Sequence, residues 1–594
     1  MDKKNAAIGI LLLIAAGASF YLSAKFAPPA PLRPAITTPA SAPAPAPAAS
    51  TPALPGSTAP VATPSISAAP AKPAHPAEYV SLENDEVSVR FTTTGGAIDS
   101  VALKKFPAVL GKADPYRINA PGAAPILSFI DFPGLDQNTQ YDVVSQTPAE
   151  IVYRAVLENR LEVTRRYTLL GHGKGDPFQI RAETTFRNLT GQLLPLPRAY
   201  VSLGSISPLN ENDTGVYINA GYYDGNTTNF TRRDALSGAG FFSSSAPLPF
   251  IEKTAPIVWA TAKNQFFATI LTPDQPGVGL RIERVKVDPL LDDTNRMAYG
   301  LTGHAEFDLK PLAAGASSTW GATYFAGPKE YRRLAKTANF LHDEDKVMEF
   351  GRFTGIFSKL LLTIMTWIHS WLPSWGWSVV ATTLFLKSVT LPFTLMASRS
   401  AKHMQKIAPL LKEVRAKFKD NPAKQQEAMM RIYKENKVNP LGGCIPMVIT
   451  LPFFFGFFTM LQSASDLRFQ SFLWVKDLAA PDTVLSFGAV TLPLLGLTHL
   501  SLNILPLLMG VTMIYQMRIT PQPSTDPAQA TMMKMMPLVY MLFCYNFAAA
   551  LALYSTVNGL FTIVQQKIVN RLPEPKLPGE MPGAIKNVTP KKKK

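Results

Sequence analysis

Cysteine is scarce in this chain of 594 residues, which contains only Cys444 and Cys544. Both lie in apolar segments far apart in the sequence, which argues against a disulfide framework and against a cysteine metal site. The polar stretch 78–340 has no cysteine at all, so it gives no redox indication of its compartment.

The long apolar segments of the second half contain no acidic residue. One of them, Trp377–Leu391, carries Lys387 in a stretch otherwise suited to span a bilayer. A cation near the centre of a spanning helix costs about 2.5–3.5 kcal/mol, and no carboxylate in these segments can pair with it. Lys387 therefore either snorkels to the interface or faces a water-filled cavity inside the membrane. We favour the solvated cation, because charges inside a membrane usually serve a function.

Length and charge set the broad class of the protein. A chain of this size holds more than one domain. Its formal net charge of +16, with a pI near 9.5, favours anionic partners such as phospholipid head groups, RNA or acidic peptide segments.

The first residues predict a membrane anchor followed by a tether. An apolar run follows Lys3 and Lys4, and we interpret 1–26 as an uncleaved transmembrane anchor with a cytoplasmic N-terminus. A signal peptide cleaved near Ala24 is the alternative, although the run exceeds the usual apolar core. Residues 27–77 are rich in proline and alanine, which predicts an extended, semi-stiff linker.

Alternating apolar and polar residues dominate 78–340 and predict a β-sandwich outside the cytoplasm. Val87–Thr92 is one such strand. Leu161–Leu169 and Phe178–Phe186, joined by a glycine-rich turn, have the pattern of a hairpin.

The segment 341–375 contains helical spacing at 353–372, with apolar and tryptophan residues on one face and Ser358 among the polar residues of the other. This pattern predicts an amphipathic helix on the membrane surface at the outer side. Five spanning candidates follow, at 376–395, 444–462, 502–518, 532–547 and 549–568. Several are shorter than a full span of about 20 residues, which suggests a locally thinned bilayer.

Basic residues orient these spans. They crowd 397–440 and the tail 571–594, whereas 463–501 has only Arg468 and Lys476. The positive-inside rule places the first two segments in the cytoplasm, which gives six spans with both termini inside. Apolar stripes around a turn at Asp420–Pro422 make 397–440 a helical hairpin. It is either a solvated charged loop or, as we favour, a docking element for RNA, anionic lipid or nascent chain.

Three motifs resemble the YidC family of membrane protein insertases. They are Lys437–Pro446 followed by Leu451–Phe454, then Ser378–Thr394, and then Leu551–Gln566. The resemblance implies a polytopic α-helical membrane protein with six transmembrane helices and a periplasmic all-β, supersandwich-like domain. In this arrangement 376–570 is the five-helix insertase core, located in the bacterial inner membrane.

The resemblance also implies a function without cofactors or nucleotide hydrolysis. Such proteins insert and help fold inner-membrane proteins, alone or beside the Sec translocon, through a hydrophilic groove open to the cytoplasm and to lipid. The expected partners are nascent inner-membrane proteins, the Sec translocon, anionic phospholipid and, through the basic hairpin and tail, the ribosome. By motif position Lys387 is the groove cation, where arginine is usual. A second departure is Phe547–Ala550, where proline or glycine is common.

We expect four more groove residues, because they are polar in spanning helices: Thr383, Thr450, Ser555 and Asn558. Their alternative role is helix–helix hydrogen bonding, at about 0.6 kcal/mol each. For the path along which a substrate slides into lipid, we name Leu451, Phe454 and Tyr554.

Two other functions remain open. The outer sandwich could be a tethered glycan-active enzyme using His172 or His304, although fold analogy alone does not establish activity. A solute transporter is disfavoured by the single intramembrane cation and the lack of an inverted repeat.

Overall fold

The chain forms a β-rich part followed by a helical part. The computed structural model describes residues 76–119, 123–171, 175–210, 213, 215–238, 246–288, 290–291, 298–336, 338–351, 354–436, 445–486, 501–520 and 527–571. The predicted anchor 1–26 lies outside these residues, as do nearly all of the linker 27–77 and of the tail 571–594. The stretch 437–444, which carries most of the first family motif, also lies outside them.

Antiparallel strands build the β-rich part. They are β1 (Tyr79–Glu83), β2 (Val87–Thr92), β3 (Ala97–Pro107), β4 (Pro115–Ile118), β5 (Phe129–Ile130), β6 (Asp142–Gln146), β7 (Glu150–Leu157), β8 (Leu161–Leu169), β9 (Gln179–Asn188), β10 (Ala199–Ile206), β11 (Asn219–Tyr223), β12 (Thr228–Arg232), β13 (Phe250–Ile257), β14 (Trp259–Lys263), β15 (Phe267–Pro273), β16 (Gly277–Lys286), β17 (Tyr299–Phe307) and β18 (Ser317–Pro328). The predicted strand at Val87–Thr92 is confirmed, and so is the hairpin, in which Leu161 pairs with Asn188 and Leu169 with Ile180.

These strands form three sheets within the described residues, with the orders β1-β2-β3-β4, β13-β16-β17-β10-β5 and β12-β11-β14-β15-β18-β9-β8-β7-β6. The second and third sheets pack face to face, and the Tyr324 hydroxyl of β18 donates a hydrogen bond of 2.8 Å to the Leu203 carbonyl of β10. Strand β8 shows why the pattern folds this way, because its alternate residues from Leu161 to Leu169 are buried. The predicted antiparallel sandwich is confirmed.

The helical part follows a short helix, α1 (Tyr331–Lys336), and a 3₁₀ turn at Glu344–Met348. Its elements are α2 (Thr354–His369), α3 (Trp375–Lys417), α4 (Pro422–Glu435), α5 (Ile445–Ser463), β19 (Thr483–Ser486), β20 (Ser501–Asn503), α6 (Ile504–Ile519), α7 (Pro527–Phe543) and α8 (Ala549–Arg571). Helices therefore lie at all five segments predicted to span the membrane. Of the described helices, α3 alone is long and apolar enough to cross a bilayer, and shorter apolar stretches lie at Leu451–Leu461, Ile504–Ile519 and Lys534–Phe543. The number of six spans stays a prediction.

The first core helix differs from its predicted bounds. We expected a span ending at 395 and a separate hairpin helix beginning near 397, but α3 continues unbroken to Lys417. Pro392 lies inside the helix, where it removes one backbone hydrogen bond without ending the helix. The change from apolar to basic residues along α3 therefore does not mark the end of the helix.

The predicted helical hairpin is confirmed as a packed unit. Asn421 caps α4 by accepting a hydrogen bond of 3.1 Å from the Lys424 backbone, and Pro422 occupies the first helical turn. A small apolar cluster joins the end of α3 to α4; it consists of Met404, Ile407, Leu411, Met429, Ile432 and Tyr433.

Helix α2 is amphipathic, but its faces are used differently from our expectation. Ser358, which we placed on the polar face, is fully buried, and its hydroxyl lies 3.0 Å from the Gly456 carbonyl and 2.7 Å from the Thr459 hydroxyl of α5. Large apolar residues lie on both sides of the helix, since Leu361, Leu362 and Met365 are buried whereas Ile356 and Trp367 are 70% and 59% exposed. The small residues Ser358 and Gly456 allow α2 to approach α5 closely.

Candidate functional site

Lys387 lies between α3 and α8 and is only 9% exposed. Its ammonium group donates a hydrogen bond of 3.0 Å to the Thr562 hydroxyl of α8. Within the described part of the chain, no carboxylate comes within 4.0 Å of this ammonium group, and no acidic residue lies in α8 or in α3 before Glu413. The structure therefore places an enclosed cation against a neutral acceptor.

Two further hydrogen bonds extend this contact between α3 and α8. The Gln565 amide donates to the Thr394 hydroxyl over 2.9 Å, and the Lys402 ammonium donates to the Val569 carbonyl over 2.6 Å. From one contact to the next, the residue number increases in both helices, so α3 and α8 run in the same direction. We call this row of contacts, from Lys387–Thr562 to Lys402–Val569, the polar seam.

The predicted groove residues occupy different positions around Lys387. Asn558 is half-buried one helical turn before Thr562, and its backbone carbonyl accepts the Thr562 hydroxyl hydrogen bond. Thr383 is buried one turn before Lys387, and its hydroxyl donates to the Val379 carbonyl of its own helix over 2.7 Å. Asn558 is thus brought into the neighbourhood of the cation, whereas the Thr383 hydroxyl is already used within α3.

Two other predicted groove residues, Ser555 and Thr450, are not among the residues that form the polar seam. Ser555 is 8% exposed, and in the described structure its buried hydroxyl makes no hydrogen bond of ordinary geometry. Tyr540 is its polar neighbour. Thr450 lies in α5, but its side chain lies outside the described part of the structure.

The sequence analysis did not identify several other polar residues of α3 and α8 near Lys387. Thr562 and Gln565 continue from Asn558 at helical spacing, which is the signal that would have found them. Thr394 and Thr382 were also missed, and the Thr382 hydroxyl is buried without a hydrogen-bond partner in the described structure. These residues add polar character to the α3 and α8 faces that meet at Lys387.

The residues proposed for the substrate path do not share one surface. Leu451 is 48% exposed on α5, and Phe454 is half-buried with its ring 5.8 Å from that of Tyr540. Tyr554 is only 7% exposed, because its ring stacks on Phe457 at 4.3 Å inside the helical bundle.

The loop 464–482 covers the starts of α3 and α8, which are the helix ends farther from the Lys402–Val569 contact. The backbone amides of Ala549 and Ala550 at the start of α8 donate to the carbonyls of Ala480 and Leu478, over 2.8 and 2.9 Å. Phe472 packs on Gly376 at the start of α3, where a Cβ atom would come within 2.1 Å of its ring. The loop therefore contacts the starts of both α3 and α8.

Asp482 of this loop is buried, and Asp466 and Asp477 are half-buried. Burial raises the pKa values of Asp466, Asp477 and Asp482 above the usual range. The Asp482 carboxylate accepts the backbone amide of Leu505 over 2.6 Å, which fixes the start of α6.

Arg468 joins the same loop to the β-rich part. Its guanidinium donates to the carbonyls of Pro107 and Ala108, over 2.6 and 3.0 Å, at the end of β3. It also lies 4.1 Å from the centre of the Phe469 ring and 5.3 Å from that of Phe267. Separately, Lys359 of α2 forms a 2.6 Å ion pair with Asp345 of the 3₁₀ turn that follows the sandwich.

The histidines considered for an enzyme lie away from these helices. His304 of β17 is 3% exposed, with its Nε2 3.7 Å from the Glu283 carboxylate. This neighbour lowers the pKa of Glu283. His172 lies outside the described residues. In the described ranges, no group of three or more His, Cys, Asp or Glu side chains is arranged to hold a metal ion.

Comparison with known protein families identifies the family of this chain. The model of the YidC periplasmic domain matches residues 79–364, and that of the 60Kd inner membrane protein matches 367–576. The chain belongs to the YidC family. The β-sandwich, together with α1 and most of α2, thus corresponds to the family's periplasmic domain, and α3 to α8 correspond to its inner-membrane part.

Curated relatives carry the name membrane protein insertase YidC. That of Chlorobaculum parvum is 35% identical over 54% of this chain and 52% of its own length, so the chain spans about half of that relative. That of Chlorobium luteolum is 28% identical over 82% of both chains. A solved structure described as an active YidC insertase with its first transmembrane domain resolved is 15% identical. It covers 85% of this chain and 95% of its own, with a TM-score of 0.33.

Proposed function

We propose that this protein inserts other proteins into the bacterial inner membrane and helps them fold. One observation carries the proposal: Lys387 is an enclosed cation whose hydrogen-bond partner in the described structure, Thr562, is neutral. Buried charges are normally paired, because an unpaired charge in an apolar environment is costly. A cation that has no carboxylate partner among the described residues of a YidC protein is best explained by a partner that arrives with the substrate.

The proposed mechanism uses hydration and charge in a groove between α3 and α8, lined by Lys387, Thr383, Thr450, Ser555 and Asn558. A short acidic segment of the substrate enters from the cytoplasm and meets the Lys387 ammonium, which has three N–H donors and one described acceptor. This contact shortens the dry path across the hydrocarbon. The loop 464–482 keeps the outer end closed, as its contacts with α8 suggest.

The driving force in this mechanism needs no nucleotide hydrolysis and no cofactor. The apolar helix of the substrate partitions into lipid, leaving along Leu451, Phe454 and Tyr554. The membrane potential adds about 2.3 kcal/mol per charge per 100 mV. Exposed Leu451 supports a lateral exit beside α5, whereas buried Tyr554 would serve only after its stacking on Phe457 is released.

We also propose the topology and the partners. The boundaries are 1–26 for the anchor, 27–77 for the linker, 78–340 for the periplasmic sandwich, 341–375 for the surface helix region, 376–570 for the core and 571–594 for the tail. Both termini lie in the cytoplasm. The basic hairpin and the tail dock the ribosome and anionic phospholipid, and the core works alone or with the Sec translocon on nascent inner-membrane proteins.

Insertion by the purified protein tests this proposal. We would reconstitute the full chain in liposomes, supply a single-spanning substrate with an acidic outer tail, and measure protease protection. Lys387→Arg should retain insertion because it keeps the charge, and Lys387→Ala should lose most of it. Lys310→Ala, which removes an exposed lysine of the sandwich, is the matched control and should insert normally. Equal insertion by all forms would remove Lys387 from the mechanism, and no insertion by any form would refute autonomous insertion.

A further inference from the structure

The hydrogen bonds around Thr562 have a defined direction. Its hydroxyl donates to the Asn558 carbonyl of its own helix over 2.8 Å. The single hydroxyl proton is therefore used within α8, so toward Lys387 the oxygen acts as an acceptor. The 3.0 Å contact with the Lys387 ammonium group fits this role. Thr562 thus presents a fixed lone pair to the cation.

This acceptor selects one of the positions that the lysine side chain can reach. A lysine has a flexible four-carbon stem and can carry its ammonium to different sides of a helix. On α3, the neighbours Leu384, Phe385 and Val389 are 42%, 46% and 55% exposed, so one side of the helix around Lys387 faces away from the protein. The contact with Thr562 holds the ammonium on the opposite side, toward α8.

The acceptor also orients the cation without neutralising it. A carboxylate at position 562 would form an ion pair with Lys387 and compete with an acidic substrate. A hydroxyl accepts one of the three N–H groups and leaves the full positive charge. The next contact of the polar seam, Gln565–Thr394, is likewise between neutral groups.

We propose that Thr562 is a positioning residue that holds the Lys387 ammonium between α3 and α8, where it receives an acidic segment of the substrate. This inference rests on the proposed insertase function and deepens it. Thr562 acts through Lys387, so its effect depends on the charge of the substrate. A threonine that merely packed α8 would affect every substrate alike.

The test compares two substrates that differ only in tail charge, one with acidic and one with neutral residues, and measures the initial rate of insertion into liposomes. Thr562→Val keeps the shape of the side chain and removes the acceptor. It should lower the rate for the acidic tail about tenfold, the loss expected for a hydrogen bond to a charged group. The rate for the neutral tail should stay within about twofold of the unaltered chain, since no charged contact is then lost.

Two further variants separate positioning from packing. Thr562→Ser retains the hydroxyl and should restore insertion of the acidic tail. Thr556→Val removes another buried hydroxyl of α8, whose hydrogen bond in the described structure is to the Ala552 carbonyl of the same helix, and should leave both rates near normal.

The outcomes distinguish this inference from the function on which it rests. If Lys387→Ala loses the acidic substrate while Thr562→Val behaves as the unaltered chain, the positioning role is refuted and the insertase function stands. Equal loss of both substrates in Thr562→Val also refutes positioning, because it indicates a packing defect. If the unaltered chain inserts neither substrate, the proposed function itself fails.

Discussion

Replacement of Arg468 by alanine should release the loop 464–482 from the β-sandwich. The side chain is 8% exposed, and its guanidinium donates two hydrogen bonds to the backbone carbonyls of Pro107 and Ala108. It also lies against the ring of Phe469. A hydrogen bond to a charged group contributes about 1.5–3 kcal/mol, and part of the total is offset because the guanidinium must lose its water. We therefore expect Arg468→Ala to weaken the docked state by about 2–4 kcal/mol.

Native-state hydrogen exchange measures this change in the detergent-solubilised full chain. The amides of Phe472 and Leu478, which are hydrogen-bonded inside the loop, report on its opening. A loss of about 2–4 kcal/mol corresponds to exchange roughly 30- to 1,000-fold faster. Lys105→Ala is the control, because it breaks an exposed ion pair with Glu86 and should not alter exchange in the loop. Unchanged exchange in Arg468→Ala would refute the view that this residue holds the two parts together.

Two other predictions concern the packing and the pH response of the same region. Gly456→Val should destabilise the contact between α2 and α5 by about 1–3 kcal/mol, because a Cβ atom at position 456 comes within 2.8 Å of Phe357. Gly191→Val is the control, since nothing lies within 4 Å of a Cβ atom there. Equal thermal unfolding midpoints for the two variants would contradict this reasoning. Burial raises the pKa of Asp477, so its contribution to stability is complete below its ordinary value of 3.8 and is lost as the pH rises through the raised value. The unfolding midpoint should therefore fall from acidic to neutral pH, and less so in Asp477→Asn; identical slopes in both proteins would show that another group is responsible.

Regular patterns made much of the fold predictable. Strand β8 buries every second residue, so its alternation gave both the strand and its partner β9. Arg165 occupies one of these buried positions, but the alternation did not reveal that its guanidinium donates to the carbonyls of Gly95 and Leu127. Those acceptors lie about 40 and 70 residues away, and no local pattern brings them together. Continuous α3 was missed for a related reason, because Pro392 and the onset of basic residues look like an end in sequence alone.

The candidate site shows the same division between local signal and tertiary contact. A lysine in an apolar, acid-free segment is conspicuous in the sequence, so Lys387 was found from its surroundings alone. Thr562 is one of many threonines, and it gains importance only because α3 and α8 run side by side and bring it to 3.0 Å from the ammonium. The polar residues of α8 at positions 555, 558, 562 and 565 do share one helical face. That face could be identified from the sequence, but the member that meets the cation is decided by how far the lysine reaches across the helix contact. The charge at the site is thus encoded locally, while its position depends on the tertiary structure.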